Sequence, residues 1–415
     1  MNKDDIALVE LDCGIRLVME RIPHVHSLAV GMWVNVGSRD EAIREEGITH
    51  FIEHTVFKGT KRRKMHQVAR HMEAVGGYLN AFTGKEYTCY YAGALDRDAQ
   101  RAADILTDIT LNATFPPNEV EKEKQVVLEE IKMYEDQPED HVFDFFEESI
   151  YGNHALGRPV IGYASSIASF ERNTLSKFVT KHYTGPNLVI AAAGNLDFDK
   201  FQKQVSQCLG RFDVSKAQQR EVRSNGVEMT LGRRVEIRKP VQQAHIVYGR
   251  QIFGMRDHRR AALTVLNTVL GGGMSSRLNQ RIREKYGYCY TIYSFANLHS
   301  DAGDFGVYTA TDPERVDRML KLIQREMSAL CDAPISNRVL AEAKAQARGA
   351  MVMGLESTSN RMNRIGRQTL QYGSPRDIDE TLAMLEAVRP SDVQDLAQAL
   401  FEPDYFHAIN LIPQV

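Results

Sequence analysis

The sequence contains little that would place it outside ordinary globular proteins. Its five cysteines are scattered over 415 residues without a CxxC pair, which argues against a disulfide framework or a cysteine zinc site and favours a reducing compartment. It has no apolar run of about 18 residues, so no transmembrane helix is expected. The net charge of -3 argues against nucleic-acid binding driven by bulk charge.

The beginning of the chain also lacks a recognisable targeting signal. Residues Met1 to Asp5 are polar and acidic, without the apolar segment of a secretory signal or the arginines of a transit peptide. We therefore expect a cytoplasmic protein. A mitochondrial matrix protein whose presequence has been removed is the alternative.

What the chain does contain is a pattern of strands and helices that occurs twice. A length of 415 residues is too great for one ordinary core, and 43% apolar and 25% charged residues are globular values. The strand and helix order of the first half returns after a polar stretch, which indicates an internal repeat. We predict an α+β fold of two similar domains, each a sheet with helices packed on it. The predicted boundaries are a first domain over 1–212, a linker over 213–233 and a second domain over 234–415.

The most informative stretch is His50-Phe51-Ile52-Glu53-His54. On a helix, the two histidines lie on one face, one turn apart, where both rings can bind the same metal ion. Glu53 lies beside them and is placed to act as a base. Catalytic zinc takes three protein ligands and keeps one position open, so the motif predicts a third ligand elsewhere.

A helix predicted over 119–134 offers the third ligand. Glu123 and Glu130 lie two turns apart and share a face, whereas Glu129 points about 100° away and is the weaker candidate. A buried carboxylate without a partner is costly. A metal bound by one glutamate, with the other accepting a histidine N–H, would satisfy both. On these residues alone, a solvated glutamate-rich helix stays open as the alternative.

Together these residues resemble the M16 metallopeptidases, the inverzincins with an H-x-x-E-H motif, and within them the subfamily similar to mitochondrial processing peptidase. The similarity extends over essentially the whole chain. The spacing from His54 to Glu130 resembles that of the family's third zinc ligand, and Glu123 matches its supporting glutamate. The resemblance implies a bacterial homologue in which His50, His54 and Glu130 bind one Zn²⁺ per chain. The domain over 1–212 would then be the catalytic one, and the domain over 234–415 would have no metal site.

Two further stretches resemble the family. Gly76-Gly77 and the residues after it are similar to its GG-x-x-NA-x-T segment, where a strand edge receives the substrate as an added strand. In the second half, Arg283 and Tyr290 match an arginine and a tyrosine that reach the active site from the other domain. The alternative for this pair is an exposed helix arginine and a core tyrosine. The substrate-binding residues implied by the first segment are Asn80, Ala81, Phe82 and Thr83.

The resemblance implies a zinc-dependent endopeptidase, with Glu53 as the general base on zinc-bound water and Tyr290, together with Arg283, stabilising the oxyanion. Members of the family close around a chamber, so we expect a homodimer that hydrolyses unfolded peptides or presequence-like segments, with no nucleic-acid or membrane partner. Two alternatives stay open. One is a catalytic β-type processing-peptidase subunit that needs a different partner, and the other is a non-catalytic scaffold with a vestigial metal site.

Overall fold

The computed structural model describes residues 5–212, 214, 223 and 227–414. Of the predicted linker, residues 213, 215–222 and 224–226 lie outside the described residues. Eleven strands are β1 Ile6–Glu10, β2 Arg16–Arg21, β3 Ser27–Val34, β4 Tyr78–Thr83, β5 Thr88–Leu95, β6 Leu188–Gly194, β7 Arg234–Lys239, β8 Ala244–Phe253, β9 Cys289–Leu298, β10 Ala302–Thr311 and β11 His407–Pro413, counted over the described part of the chain.

Fourteen α-helices accompany these strands in the same described part. They are α1 Ile48–Thr55, α2 Met65–Glu73, α3 Ala99–Asn112, α4 Pro117–Glu135, α5 Pro138–Tyr151, α6 Ala164–Ser169, α7 Arg172–His182, α8 Phe198–Leu209, α9 Arg260–Gly271, α10 Val316–Asp332, α11 Asn337–Gly354, α12 Thr358–Tyr372, α13 Ile378–Glu386 and α14 Pro390–Leu400. Within the described ranges, no helix is long and apolar enough to cross a membrane.

The chain forms two compact units, each with its own mixed sheet. The first sheet has the order β1-β2-β6-β3-β5-β4, in which β2 and β6 are parallel and the other pairs antiparallel. The second has the order β7-β11-β8-β10-β9, in which β7 and β11 are parallel. The predicted α+β architecture is therefore confirmed.

The units differ from the predicted contiguous halves because each takes one helix from the other half of the sequence. The first unit contains the described residues of Met1–Ile131, Arg158–Val222 and Gly354–Ile378. The second contains those of Lys132–Gly157, Arg223–Met353 and Asp379–Val415. Helix α5 thus belongs to the second unit and α12 to the first.

The alternation of side chains along the strands explains this exchange. On β3, Val30 and Met32 face the core that α1 and α3 cover, whereas Trp33 faces the opposite side. Both faces of the first sheet are apolar, so a second layer must cover the Trp33 side. Helix α12 does so through Met362 and Ile365. In the second unit, α5 covers the corresponding apolar surface with Val142, Phe146 and Ile150.

A buried ion pair also attaches α12 to the first sheet. Glu20 on β2 has an exposed fraction of 0%. Its carboxylate oxygens lie 2.6 Å from Nη1 of Arg361 and 3.2 Å from Nη2 of Arg364. Since a buried carboxylate needs such partners, these contacts fix the position of α12 on the sheet.

Replacing Arg361 should loosen α12. We expect Arg361→Leu to lower the free energy of unfolding of the first unit by about 3 kcal/mol, because Glu20 loses one of its two cations while it stays buried. Urea unfolding followed by the fluorescence of Trp33, the only tryptophan in the chain, measures this directly. The exposed Arg367 on the same helix supplies the control variant Arg367→Leu. Equal stability of the two variants would refute the prediction.

Candidate metal centre

Helix α1 carries the histidine motif, and the side chain of Glu41 in the preceding loop caps its N-terminus. Glu41 accepts hydrogen bonds from the backbone N–H groups of Gly47 at 2.7 Å and Thr49 at 2.9 Å. These N–H groups have no partner within the helix, so the hydrogen bonds to Glu41 cap its N-terminus. The cap does not require a charge, because burial raises the pKa of Glu41 to about 8. Gly47 has a φ of 87°, and a Cβ atom on it would lie 2.6 Å from the carbonyl oxygen of Ile161. Only glycine fits this turn, so the start of α1 is fixed.

One face of α1 is buried and the other carries the polar part of the motif. Phe51 and Ile52 both have an exposed fraction of 0% and belong to the core of the first unit. Because successive helical residues turn by about 100°, His50, Glu53 and His54 lie on the opposite side. The two imidazole rings are close, with centroids 4.7 Å apart.

Helix α4 brings Glu130 to these rings. Its carboxylate oxygens lie 3.8 Å from Nε2 of His50 and 3.3 Å from Nε2 of His54. The potential ligand atoms of the three residues all lie within 4.8 Å of one another, and no other such group of histidine, cysteine or acidic residues occurs in the described residues. Glu129 is exposed and does not belong to the group.

The chemistry of this group fits a zinc ion. Two imidazoles and one carboxylate are a known ligand set of catalytic zinc. Burial and the neighbouring His54 lower the pKa of His50 to about 3, so its ring stays neutral and has a lone pair to offer. Oε2 of Glu130 is buried and has no hydrogen-bond partner in the described part of the chain. Such an atom needs a partner, and a cation bound by the three residues would supply it.

Glu123, two turns before Glu130, orients His54. Its Oε1 lies 3.0 Å from Nδ1 of His54, and its Oε2 lies 2.6 Å from Nζ of Lys58. Burial acts to lower the pKa of His54, but the hydrogen bond to Glu123 and the charges of Glu130 and Glu123 raise it. Burial acts to raise the pKa of Glu123, yet the hydrogen bonds from His54 and Lys58 hold it below its usual value. An ionised Glu123 accepts a hydrogen bond from the Nδ1–H group of His54, which leaves Nε2 available as a metal ligand.

Glu53 is held by a residue that the sequence assigns to substrate binding. The hydroxyl of Thr83, the last residue of β4, donates a hydrogen bond to Oε2 of Glu53. Burial raises the pKa of Glu53. The hydrogen bond from Thr83 therefore orients the carboxylate of Glu53, the candidate base.

The other predicted substrate-binding residues lie on an edge strand. Strand β4 pairs with β5 alone in the described sheet and so forms an edge. The Phe82 ring packs 5.6 Å from the Trp33 ring, and Oδ1 of Asn80 accepts a hydrogen bond from the N–H of Ala81. Substrate binding by Asn80, Ala81, Phe82 and Thr83 stays a prediction.

Arg283 and Tyr290 belong to the second unit. The guanidinium carbon of Arg283 lies 5.5 Å from the centre of the Tyr290 ring. Tyr290 is 83% exposed, so it is not a core tyrosine. Their catalytic role also stays a prediction.

Sequence reasoning missed two residues near the metal group. Lys58 follows His54 by four positions and so continues the stripe that begins at His50, a signal that would have identified it. Glu41 gave no such signal, because its contacts with α1 depend on how the loop before the helix folds.

The fold is shared by two solved structures. A protease from Helicobacter pylori superimposes with a TM-score of 0.92 over 98% of this chain and 99% of its own, at 20% identity. The structure of a peptidase M16 inactive domain from Pseudomonas fluorescens also gives a TM-score of 0.92, over 100% of this chain and 98% of its own, at 18% identity. At these identities the likeness shows the fold alone.

Sequence comparison gives the family. The model of insulinase, peptidase family M16, matches residues 16–163, and that of the peptidase M16 inactive domain matches residues 169–347. An uncharacterized zinc protease of Streptomyces coelicolor is 40% identical over 93% of this chain and 85% of its own length. The uncharacterized zinc protease YmxG of Bacillus subtilis is 39% identical over 95% of this chain and 96% of its own. The chain therefore belongs to peptidase family M16, as the sequence motifs indicated.

The division between the two family models agrees with the placement of the metal group. His50, His54 and Glu130 all lie in the segment matched by the insulinase model. The segment matched by the inactive-domain model contains Arg283 and Tyr290, and the described part of it contributes no member of the metal group.

The choice between neighbouring glutamates on α4 gives a direct test of the ligand set. We expect Glu130→Gln to weaken zinc binding by more than about a hundredfold, since even residues that only support a ligand change affinity by about 10- to 100-fold. Glu129→Gln, one residue away and exposed, should bind zinc like the unmodified chain. Competition with a coloured chelator measures both affinities. The reverse order of effects would show that the ligand is Glu129.

Proposed function

We propose that the protein is a zinc-dependent endopeptidase that hydrolyses unfolded peptides or presequence-like segments. The observation that carries the proposal is the convergence of the His50, His54 and Glu130 ligand atoms within 4.8 Å, with Glu53 beside His54 on the same helix. The names of the bacterial relatives, which describe zinc proteases, support the same activity.

The residues have separable roles in this reaction. His50, His54 and Glu130 would hold the zinc, which when bound polarises a peptide carbonyl and makes water a better nucleophile. Glu53 accepts the proton of the attacking water and then delivers it to the leaving amine. The Thr83 hydroxyl keeps the carboxylate of Glu53 in one orientation. Tyr290, together with Arg283, is proposed to donate to the oxyanion of the tetrahedral intermediate.

The edge position of β4 supports a preference for unfolded substrates. An extended peptide can add to the free side of an edge strand through main-chain hydrogen bonds, which read backbone more than side chains. Thr83 ends this strand and contacts Glu53, so a peptide on the edge would lie next to the base. An unfolded chain can supply such an extended segment anywhere along its length, whereas most backbone groups of a folded protein are already hydrogen-bonded.

Glu53→Gln tests the proposed chemistry. This variant should keep its zinc, because Glu53 is not a ligand, and should lose about 10²- to 10⁴-fold in peptide hydrolysis, the usual contribution of a general base. Zinc content and cleavage of a peptide-length series are measured on the same preparations, with Glu129→Gln as the control. Substantial turnover by Glu53→Gln would sink the proposal. A metal-free, inactive unmodified chain would favour the vestigial scaffold.

We also propose that the active form is a homodimer enclosing its substrate, and that it is cytoplasmic. Size-exclusion chromatography with light scattering should give twice the mass of one chain, and activity should follow the dimer peak. Activity that appears only after a different subunit is added would favour the β-type alternative. A stable monomer with full activity would refute the dimer.

A further inference from the structure

Lys58 forms an ion pair with Glu123, the residue that orients His54, and the proposed reaction gives this lysine no role. It ends the 3-10 turn Val56–Lys58 directly after α1, and its Nζ lies 2.6 Å from Oε2 of Glu123. The side chains are 24% and 6% exposed, respectively. Because Glu123 is buried, this contact is unlike an ordinary surface ion pair, which contributes little.

The two oxygens of Glu123 have different partners. Oε1 meets Nδ1 of His54 at 3.0 Å, while Oε2 meets the ammonium group of Lys58. A carboxylate held at both oxygens cannot rotate without losing a charged hydrogen bond. Lys58 therefore fixes the direction from which Glu123 approaches the His54 ring. The other nitrogen of that ring lies 3.3 Å from Glu130.

The backbone after Lys58 is attached to the segment that leads into α4. Gly59 has a φ of 142°, and its carbonyl oxygen accepts hydrogen bonds from the N–H and the hydroxyl of Thr114, at 3.0 and 3.2 Å. Thr60 forms an antiparallel bridge with Ala113. Since α4 begins a few residues later and carries Glu123, both members of the ion pair are anchored to the same piece of backbone. The pair is thus built into the fold of the first unit.

We propose that Lys58 is a positioning residue for zinc binding: by holding Oε2 of Glu123, it keeps Oε1 on Nδ1 of His54 and so directs Nε2 of His54 toward the metal. This inference rests on the proposed zinc site. Without Lys58, Oε2 of the buried Glu123 loses the one ion-pair partner that it has in the described residues, while Oε1 keeps only its contact with His54. The carboxylate would then turn toward another donor. The imidazole that depends on Glu123 would then lose its orientation.

The test compares zinc affinities of metal-stripped, full-length variants by competition with a coloured chelator. Lys58→Met removes the charge while keeping most of the side-chain length, and we expect zinc binding to weaken by about 10- to 100-fold. Lys58→Arg keeps a cation at the same place and should recover most of that loss. The exposed Lys61 gives the matched control, Lys61→Met, which should bind zinc as the unmodified chain does.

Each result has a distinct meaning. Trp33 fluorescence on urea unfolding checks that the metal-free variants are folded, and Lys58→Gln replaces Lys58→Met if the latter is not. If Lys58→Met or Lys58→Gln is folded and binds zinc with unchanged affinity, the inference is overturned. An equal loss in Lys61→Met also overturns it, because the effect would then be one of general charge. An unmodified chain that binds no zinc overturns the proposed function itself.

Discussion

The candidate metal centre depends on the burial of one face of a single short helix. Phe51 and Ile52 are fully enclosed by the core of the first unit, and this forces the histidines of α1 onto the other side. Because Glu41 and Gly47 fix the start of the helix, the backbone positions of both histidines are fixed as well. The apolar core thus acts as a rigid scaffold that holds the histidine ligands in place before the metal binds.

The second helix of the site shows how far the sequence alone reaches. The two-turn spacing of Glu123 and Glu130 predicted that one face of α4 would carry both carboxylates, and the structure places both beside His54. Spacing could not say which of the two would face the metal, since that depends on the angle between α1 and α4. The family resemblance chose Glu130, and the geometry groups Glu130 with the histidines.

The exchange of α5 and α12 lay beyond sequence reasoning for a physical reason. An apolar strand such as β3 shows that both of its faces are covered, but it does not say which helix covers them. Met362 and Ile365, far along the chain, pack on Trp33, and Arg361 and Arg364 pair with Glu20. Contacts of this kind depend on tertiary structure, as do those of Glu41. The contact of Thr83 with Glu53 likewise follows from the position of β4 at the sheet edge beside α1.

The central claim, that His50, His54 and Glu130 form a zinc site, is tested most directly by X-ray absorption at the zinc edge of the purified, zinc-loaded chain. The predicted result is one equivalent of zinc with two imidazole ligands and otherwise oxygen ligands. This ligand set should change on Glu130→Ala and stay the same on Glu129→Ala. A chain that retains no zinc, or zinc bound by cysteine sulfur, would contradict the account.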